Sequence, residues 1–294
     1  MPHTVTVLQA SDSPIGIKLY TFELKYWRAI HPEMCRHRSF SRTVESSRAK
    51  PIAKNIEEVK TNPFIPDHWT KNCPGMTAKE EITDLETIMG LRTSTAFMAH
   101  MTATYVEQMS STYGLHKQVL NRYLEPFLYT KEVVTATDIA LKAFFDLRLA
   151  KDAEPHIRDL AETIKQGVDQ CIPKFLAYGE WHLPYIQDKD TERIEEYIRR
   201  NQMKNEPSIV LDLMKKVSAA RCARCSYKAF DGTIDIDKDI SLFNKLREGK
   251  HFSPMEHVAT PDQVNPDGTW LHWNQHGNHI GWNQFRKEIE GSFI

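Results

Sequence analysis

Residues 17–27 read IKLYTFELKYW, and they alternate with a period of two. Tyr20, Phe22, Leu24 and Tyr26 share one face while Glu23 and Lys25 take the other, as a half-buried strand requires. Pro32 breaks the pattern, and the chain enters a basic run, RHRSFSRTVESSRAKP, from Arg36 to Pro51. Prolines at 51, 63, 66 and 74 predict an irregular stretch. Helix is expected again at Thr77, where Glu80 fills the third position of a capping box. Ile82, Leu85 and Met89 continue at helical spacing, and the segment runs to Tyr113 with Gly114 as its stop, Gly90 leaving room for a break. Further helices are predicted over 115–124 ahead of Pro126, over 138–149 and over 153–170. Residues 172–186 read as an ordered aromatic loop and 187–206 as an exposed charged helix or connector, followed by helical spacing over 208–217 and 240–246. A strand and many helices without a βαβ rhythm predict an α+β fold rather than a doubly wound sheet.

The composition agrees with a globular chain. Of 294 residues, 40% are hydrophobic and 26% charged, which excludes a disordered linker. Lys plus Arg number 38 against 39 Asp plus Glu, a formal charge of -1, so no nucleic-acid coat and no membrane-surface protein is expected. No apolar run approaches the roughly 18 residues needed to cross a bilayer, and Met1 to Gly16 lacks a secretory pattern, so a cytoplasmic location is expected. Five cysteines, an odd number, argue against a disulfide framework. There is no internal repeat.

Arg36, His37, Arg38, Arg42, Arg48 and Lys50 fall within fifteen positions, with Ser39, Ser41, Thr43, Ser46 and Ser47 between them. Guanidinium forks and hydroxyls are what bind a phosphate oxyanion, although a solvated basic face gives the same composition. Cys222 and Cys225 form a C-x-x-C, open to a redox or zinc role, but no second pair follows and two small buried residues are the simpler reading. No metal site is expected, because His251 and His257 flank Glu256 without H-E-x-x-H spacing, and His272, His276 and His279 read as loop residues. A nucleic-acid binder stacking bases on Trp270, Trp273 and Trp282 is a competing class, disfavoured by the charge balance.

Arg36-His37-Arg38, followed by seven residues and then Ser46, resembles the signature of the flavin-dependent thymidylate synthases, the ThyX family. The preceding FELKYWRAIHPEMC looks like the strand that feeds the motif, and NRYLEPFLYT with ALKAFFDLRLAKDAEPHIRDLA resembles the Arg-bearing segment and the helix ending Leu-Arg. SAARCARCSY, then a helix, then HFSPMEH at 251–257 resembles the family's H-x-x-P-x-E-H block. Most members carry that block before Arg-His-Arg, so the order here resembles a circular permutation of a phage-type relative. The likeness covers about 17–50, 77–165 and 217–260.

The resemblance implies one ThyX-like domain over 1–294, with a central, mostly antiparallel sheet packed by long helices: 1–170 carrying the first motifs, 171–206 a connector, 207–294 the displaced block and an aromatic tail. It implies a thymidylate synthase using FAD, with NADPH and methylene-tetrahydrofolate as co-substrates and dUMP as acceptor, in a homotetramer whose subunits share active sites, acting in the cytoplasm of a cell or of a virus-infected host. Arg36, His37 and Arg38 would grip the flavin, joined by His251, Ser253 and Glu256. Arg36, Ser46, Ser47, Arg48 and Arg122 would hold the nucleotide, and Arg148 would meet the pyrimidine carbonyls. Arg148 and Ser46 are the catalytic candidates, Ser46 as a substrate ligand rather than a nucleophile, since the hydride comes from the flavin. Three places depart from the pattern: Thr43-Val44 stands for Asn-Glu, with Glu45 one place later; Asp152 and Glu154 stand for His and Gln; Glu33 stands for Gln. These leave open methylation or hydroxymethylation of dCMP, with Glu33 or Glu45 at the base, or an inactive nucleotide- and flavin-binding relative.

Overall fold

The computed structural model describes residues 3–225 and 235–292. Ser226 and Tyr227 of the SAARCARCSY segment lie outside the described residues. The expected strand is present as β2 (Lys18–Trp27), between β1 (Thr4–Asp12) and a strand that periodicity did not reveal, β4 (Tyr129–Thr137). β3 (Ser41–Val44) lies inside the basic run, and the two-residue β5 (Lys174–Phe175) closes the other edge. The sheet order is β3-β4-β2-β1-β5, antiparallel except where β5 pairs with β1. This is the mixed α+β class that the sequence predicts.

Helices follow in chain order: α1 (His31–Cys35), α2 (Ile52–Thr61), α3 (Leu85–Tyr113), α4 (Lys117–Leu124), α5 (Asp138–Arg148) and α6 (Pro155–Gln170). Beyond β5 come α7 (Asp190–Arg200), α8 (Pro207–Arg224) and α9 (Ile236–Glu248), then β6 (Ala259–Pro261) paired with β7 (Trp282–Gln284), and α10 (Phe285–Gly291).

Three expectations are corrected. Residues 52–61 form α2 rather than irregular chain, because Pro51 stands at the N-cap position and the other prolines lie beyond the helix end. The long helix begins at Leu85, not Thr77: Asp84 caps it by accepting the Thr87 N–H at 2.8 Å, while Glu81 bridges to Thr70. It then runs unbroken through Gly90 to the left-handed Gly114. α7 is not an exposed connector, because Asp190, Ile194 and Ile198 are buried against α8 and α9. There the buried Arg221 guanidinium bonds Asp190 and Asp239, tying the three helices together.

The sheet has two unlike faces. On one, Tyr20, Phe22, Leu24 and Tyr26 of β2 join Val134 and Ala136 of β4 beneath Leu141 and Phe144 of α5 and Ile157, Leu160 and Ile164 of α6. Each such side chain contributes about 1.5–3 kcal/mol by leaving water. A bulge between Val7 and Gln9 shifts β1 by one residue, so Val5, Val7 and Ala10 all reach this core while Ser11 turns to the other face. That second face, covered by the segment after β5, carries Ser11, Thr21, Thr43 and Thr135, all buried.

Candidate active site

α5 starts at Thr137, whose hydroxyl accepts the Ala140 N–H at 3.2 Å, and ends at Arg148, a cation in the last turn where the helix dipole favours one. Arg148 Nε donates to His37 Nε2 at 2.9 Å and Nη2 donates to the Glu33 carbonyl at 3.1 Å. Two motifs 111 residues apart therefore meet. Burial, then the charges of Arg148 and Arg42, hold the His37 imidazole down to about 4, so it accepts from Arg148 as a neutral ring. Burial lowers Arg148 from its ordinary value, against the attraction of Glu33. Glu33 Oε2 is buried and has no hydrogen-bond partner among the described residues. Arg36 and Arg38 are exposed and have no ion-pair partner among them.

Ser46, Ser47 and Arg48 sit on a turn closed by the Ala49 N–H on the Ser46 carbonyl at 3.0 Å. The buried Asn121 of α4 donates Nδ2 to the carbonyls of Ser47 and Lys50, and Lys117 Nζ donates to that of Ala49. The neighbouring Arg122 is exposed, as is Arg48, and neither has an ion-pair partner among the described residues. Ser46 is half-buried and Ser47 buried. Glu45 is engaged with Lys50 at 3.4 Å.

The HFSPMEH block packs against β3. His251, Ser253 and Pro254 line a cavity of about 260 Å³ with Arg42, Thr43, Val44, Ala223 and Leu246, so the Thr43-Val44 departure sits in its wall. Glu256 does not face this cavity as a free carboxylate, because Arg286 Nη1 donates to it. His257 is fully buried, with Nε2 bonded to Thr43 Oγ1 at 2.9 Å and Nδ1 to Thr135 Oγ1 at 2.8 Å. The Thr135 hydroxyl continues to that of Thr21 at 2.6 Å, and from there to His182 and Ser11, both at 2.8 Å. This ladder runs across four of the five strands, from β3 to β1, and fixes the 251–257 segment in one register.

Sequence reasoning missed Asn121, His182 and Thr135, which hold the site together without resembling ligands. It also treated Arg42 as one of several phosphate candidates, whereas Arg42 Nη2 donates to the Cys35 carbonyl at 3.2 Å and Nη1 to that of Met34. Glu154 caps α6 by accepting the Ile157 N–H at 2.9 Å and pairs with His156, which accounts for that departure as helix architecture. Cys222 and Cys225 are buried, burial pushes both thiols up, and no three ligating side chains converge on a metal among the described residues. Trp282 is fully buried while Trp273 is exposed, so the tail tryptophans do not form one stacking surface. His272 and His276 both bond Asp262, whose carboxyl is held down to about 2 by those bonds against its burial. No helix among the described residues is long and apolar enough to cross a membrane.

No curated protein matches the chain. Among solved structures, the flavin dependent thymidylate synthase ThyX of Helicobacter pylori, complexed with FAD and dUMP, is 18% identical with a TM-score of 0.35, over 51% of this chain and 67% of that one. The UMP/dUMP methylase PolB of Streptomyces cacaoi, bound with 5-Br UMP, is 15% identical with a TM-score of 0.49, over 57% of this chain and 89% of that one. The model of the Thy1 family, described as thymidylate synthase complementing protein, matches residues 6–174, a span that holds Arg36–Arg38, Ser46–Arg48, Arg122 and Arg148 but not His251–His257. With more than half of its length matched, the chain belongs to the Thy1 family of thymidylate synthase complementing proteins.

Proposed function

We propose that the chain methylates dUMP at carbon 5 as a flavin-dependent thymidylate synthase, with FAD as cofactor and NADPH and methylene-tetrahydrofolate as co-substrates. The observation that carries this reading is the Arg148–His37 contact at 2.9 Å, which joins the Arg-His-Arg loop to the Leu-Arg helix. Carbon 5 of uracil is a weak nucleophile until negative charge in the ring is stabilised, and an arginine at the ring carbonyls does that. Arg148 is held by His37 and the Glu33 carbonyl, and its Nη1 has no hydrogen-bond partner among the described residues and is free to donate to the base. Ser46, Ser47 and Arg48, with Arg122 on the adjoining helix, suit the nucleotide phosphate. Arg36, His37 and Arg38 suit the flavin dinucleotide, since exposed guanidinium groups without protein partners fit a pyrophosphate. His251 and Ser253, which line the cavity with Arg42, suit the same cofactor, and Glu256 contributes through Arg286. FAD, when bound, supplies the hydride, so the protein needs no activated cysteine. In this reading residues 1–294 work as one permuted unit.

A homotetramer with shared sites is supported by α3, which buries Ala99 and Ala103 on one side yet leaves Phe97, Met98, Met101 and Tyr105 of the opposite side 65%, 53%, 37% and 60% exposed. An apolar face of that kind marks self-association, and copies of this chain are its proposed occupants. Light scattering of the full chain should report about four copies; a monomer with full activity would contradict shared sites.

One observation favours a second substrate. The orphaned Glu33 Oε2 beside Arg148 is an acceptor suited to the amino group of cytosine, which would make dCMP the acceptor. Release of carbon-5 label from each monophosphate, with FAD, NADPH and methylene-tetrahydrofolate, tests this: dUMP is expected to react. Release from dCMP alone would reassign the base, and release from neither by flavin-loaded protein would mark an inactive relative. Arg48→Ala should weaken dUMP binding by ten- to a hundredfold, about 1.5–3 kcal/mol, and deoxyuridine hardly at all, as titration calorimetry would read. Equal losses for both would remove Arg48 from the phosphate.

A further inference from the structure

We propose that Arg42 and Glu132 are positioning residues for the Arg36–Arg38 loop, a pH-responsive brace that sets how firmly the loop is held. The proposal rests on that loop being the cofactor-gripping segment, and the brace itself stands on geometry. Arg42 on β3 reaches back under the end of α1, giving Nη1 to the carbonyls of Met34 and His37 and Nη2 to that of Cys35. Three of the four carbonyls from Met34 to His37 thus converge on one guanidinium, leaving the arginines at 36 and 38 outward. Arg42 is anchored in turn by Glu132, whose Oε1 lies 3.8 Å from Arg42 Nε. Glu132 is fully buried on β4, and its Oε2 accepts the Tyr26 hydroxyl at 2.5 Å. Oε1 has no hydrogen-bond partner among the described residues, so Arg42 is its counter-charge.

A bare carboxylate in an apolar core is costly, and the chain spends it where it orients one arginine. Around Glu132 lie Tyr26 from β2, Arg42 from β3, His31 and Cys35 from α1 through the Tyr26 hydroxyl, and Cys225 at the end of α8. Burial holds His31 down to about 4 and raises the thiols of Cys35 and Cys225 and the Tyr26 phenol. Burial also lifts the Glu132 carboxyl to about 7, partly offset by Tyr26 and Arg42. Within this cluster the carboxyl is therefore the group whose charge changes around neutral pH. Below that point Glu132 takes a proton, Arg42 loses its counter-charge, and the loop loosens; above it the brace tightens.

The test is amide hydrogen exchange in the full chain at His37 and Phe40, whose N–H groups bond to Met34 and His37 carbonyls within the loop at 3.2 and 3.1 Å. Corrected for intrinsic rates, wild-type protection should rise about tenfold from pH 6 to pH 8. Glu132→Gln keeps the shape and should flatten that profile; Arg42→Gln should lose about tenfold in protection at pH 8, with Arg42→Lys between the two. A wild-type profile in Glu132→Gln, or protection within twofold of wild type in Arg42→Gln, overturns the brace. An FAD titration of the same proteins separates the two readings. Wild type without FAD affinity but with the predicted exchange pattern removes the flavin reading and leaves the brace standing. Flavin bound alike by all variants, with unchanged exchange, removes the brace alone.

Discussion

The two faces of the sheet are built from opposite materials. One is closed by Phe22, Leu24 and Val134 packing against α5 and α6; the other by a file of hydroxyls on four strands, from Ser11 through Thr21 and Thr135 to Thr43, met by His182 and His257. The apolar face sets stability without setting alignment, because hydrophobic contact is non-directional. The polar face sets alignment: hydroxyl and imidazole must meet atom by atom, and an unpaired buried group is penalised. That is the face on which the segment beyond the family-matched residues docks, and it brings His251 and Ser253 to the cavity at β3.

Acid should divide the faces most strongly. Burial holds His182, His257 and His279 down to about 3, whereas in the unfolded chain they protonate near 6.5. A depressed histidine makes the unfolded state the better proton binder, so stability is lost as pH falls below 6.5, by about 1.4 kcal/mol per pH unit for each group. His3, His31 and His37 add the same sign from elsewhere, and the raised Glu132 opposes them between about 4.5 and 7. Denaturant unfolding at pH 7, 6 and 5 should show this fall, and His257→Gln should reduce the slope by about one proton. An unchanged slope would mean that His257 is not buried in the ladder.

Phe22→Ala on the apolar face should cost about 3–5 kcal/mol, with the increment equal at pH 6 and pH 8. Thr135→Val, which strips the hydroxyl shared by Thr21 and His257, should cost about 1–3 kcal/mol and loosen the 251–257 segment in hydrogen exchange. A smaller loss from Phe22→Ala than from Thr135→Val would reverse the comparison.

The same contrast explains what the sequence disclosed. β2 was legible because its apolar and polar residues alternate. β4, YTKEVVTAT, is buried on both sides over its second half and shows no period, and the bulge in β1 breaks its alternation at Leu8. The threonines of the ladder carry no sequence signal of burial, because a hydroxyl buried by a partner 122 residues away looks like an exposed one. His37 and Arg148, which meet in the structure, were legible through a motif. Arg42 was misgrouped with them, since composition cannot distinguish an arginine facing carbonyls from one facing a phosphate. Asn121 carried no signal, because its task is to hold a turn that the sequence does not place beside it.

A finer change sharpens the cavity side. A Cβ at Gly249 would come within 2.9 Å of His251 Cδ2, while its φ of -76° lets any residue fit the backbone. Gly249→Ala should therefore displace the His251 ring and weaken FAD binding about fivefold, with stability within about 0.5 kcal/mol of wild type. Unchanged FAD affinity would mean the ring position is immaterial.

Arg38 and His251, distant in sequence, are proposed to serve one flavin site at β3. Loading the full chain with FAD, removing free flavin and reading the absorption spectrum of wild type, Arg38→Ala and His251→Ala tests it directly. Flavin bands are expected in wild type, with an affinity at least tenfold weaker in each variant. Wild-type affinity in His251→Ala beside a loss in Arg38→Ala, or no flavin in wild type, would contradict it.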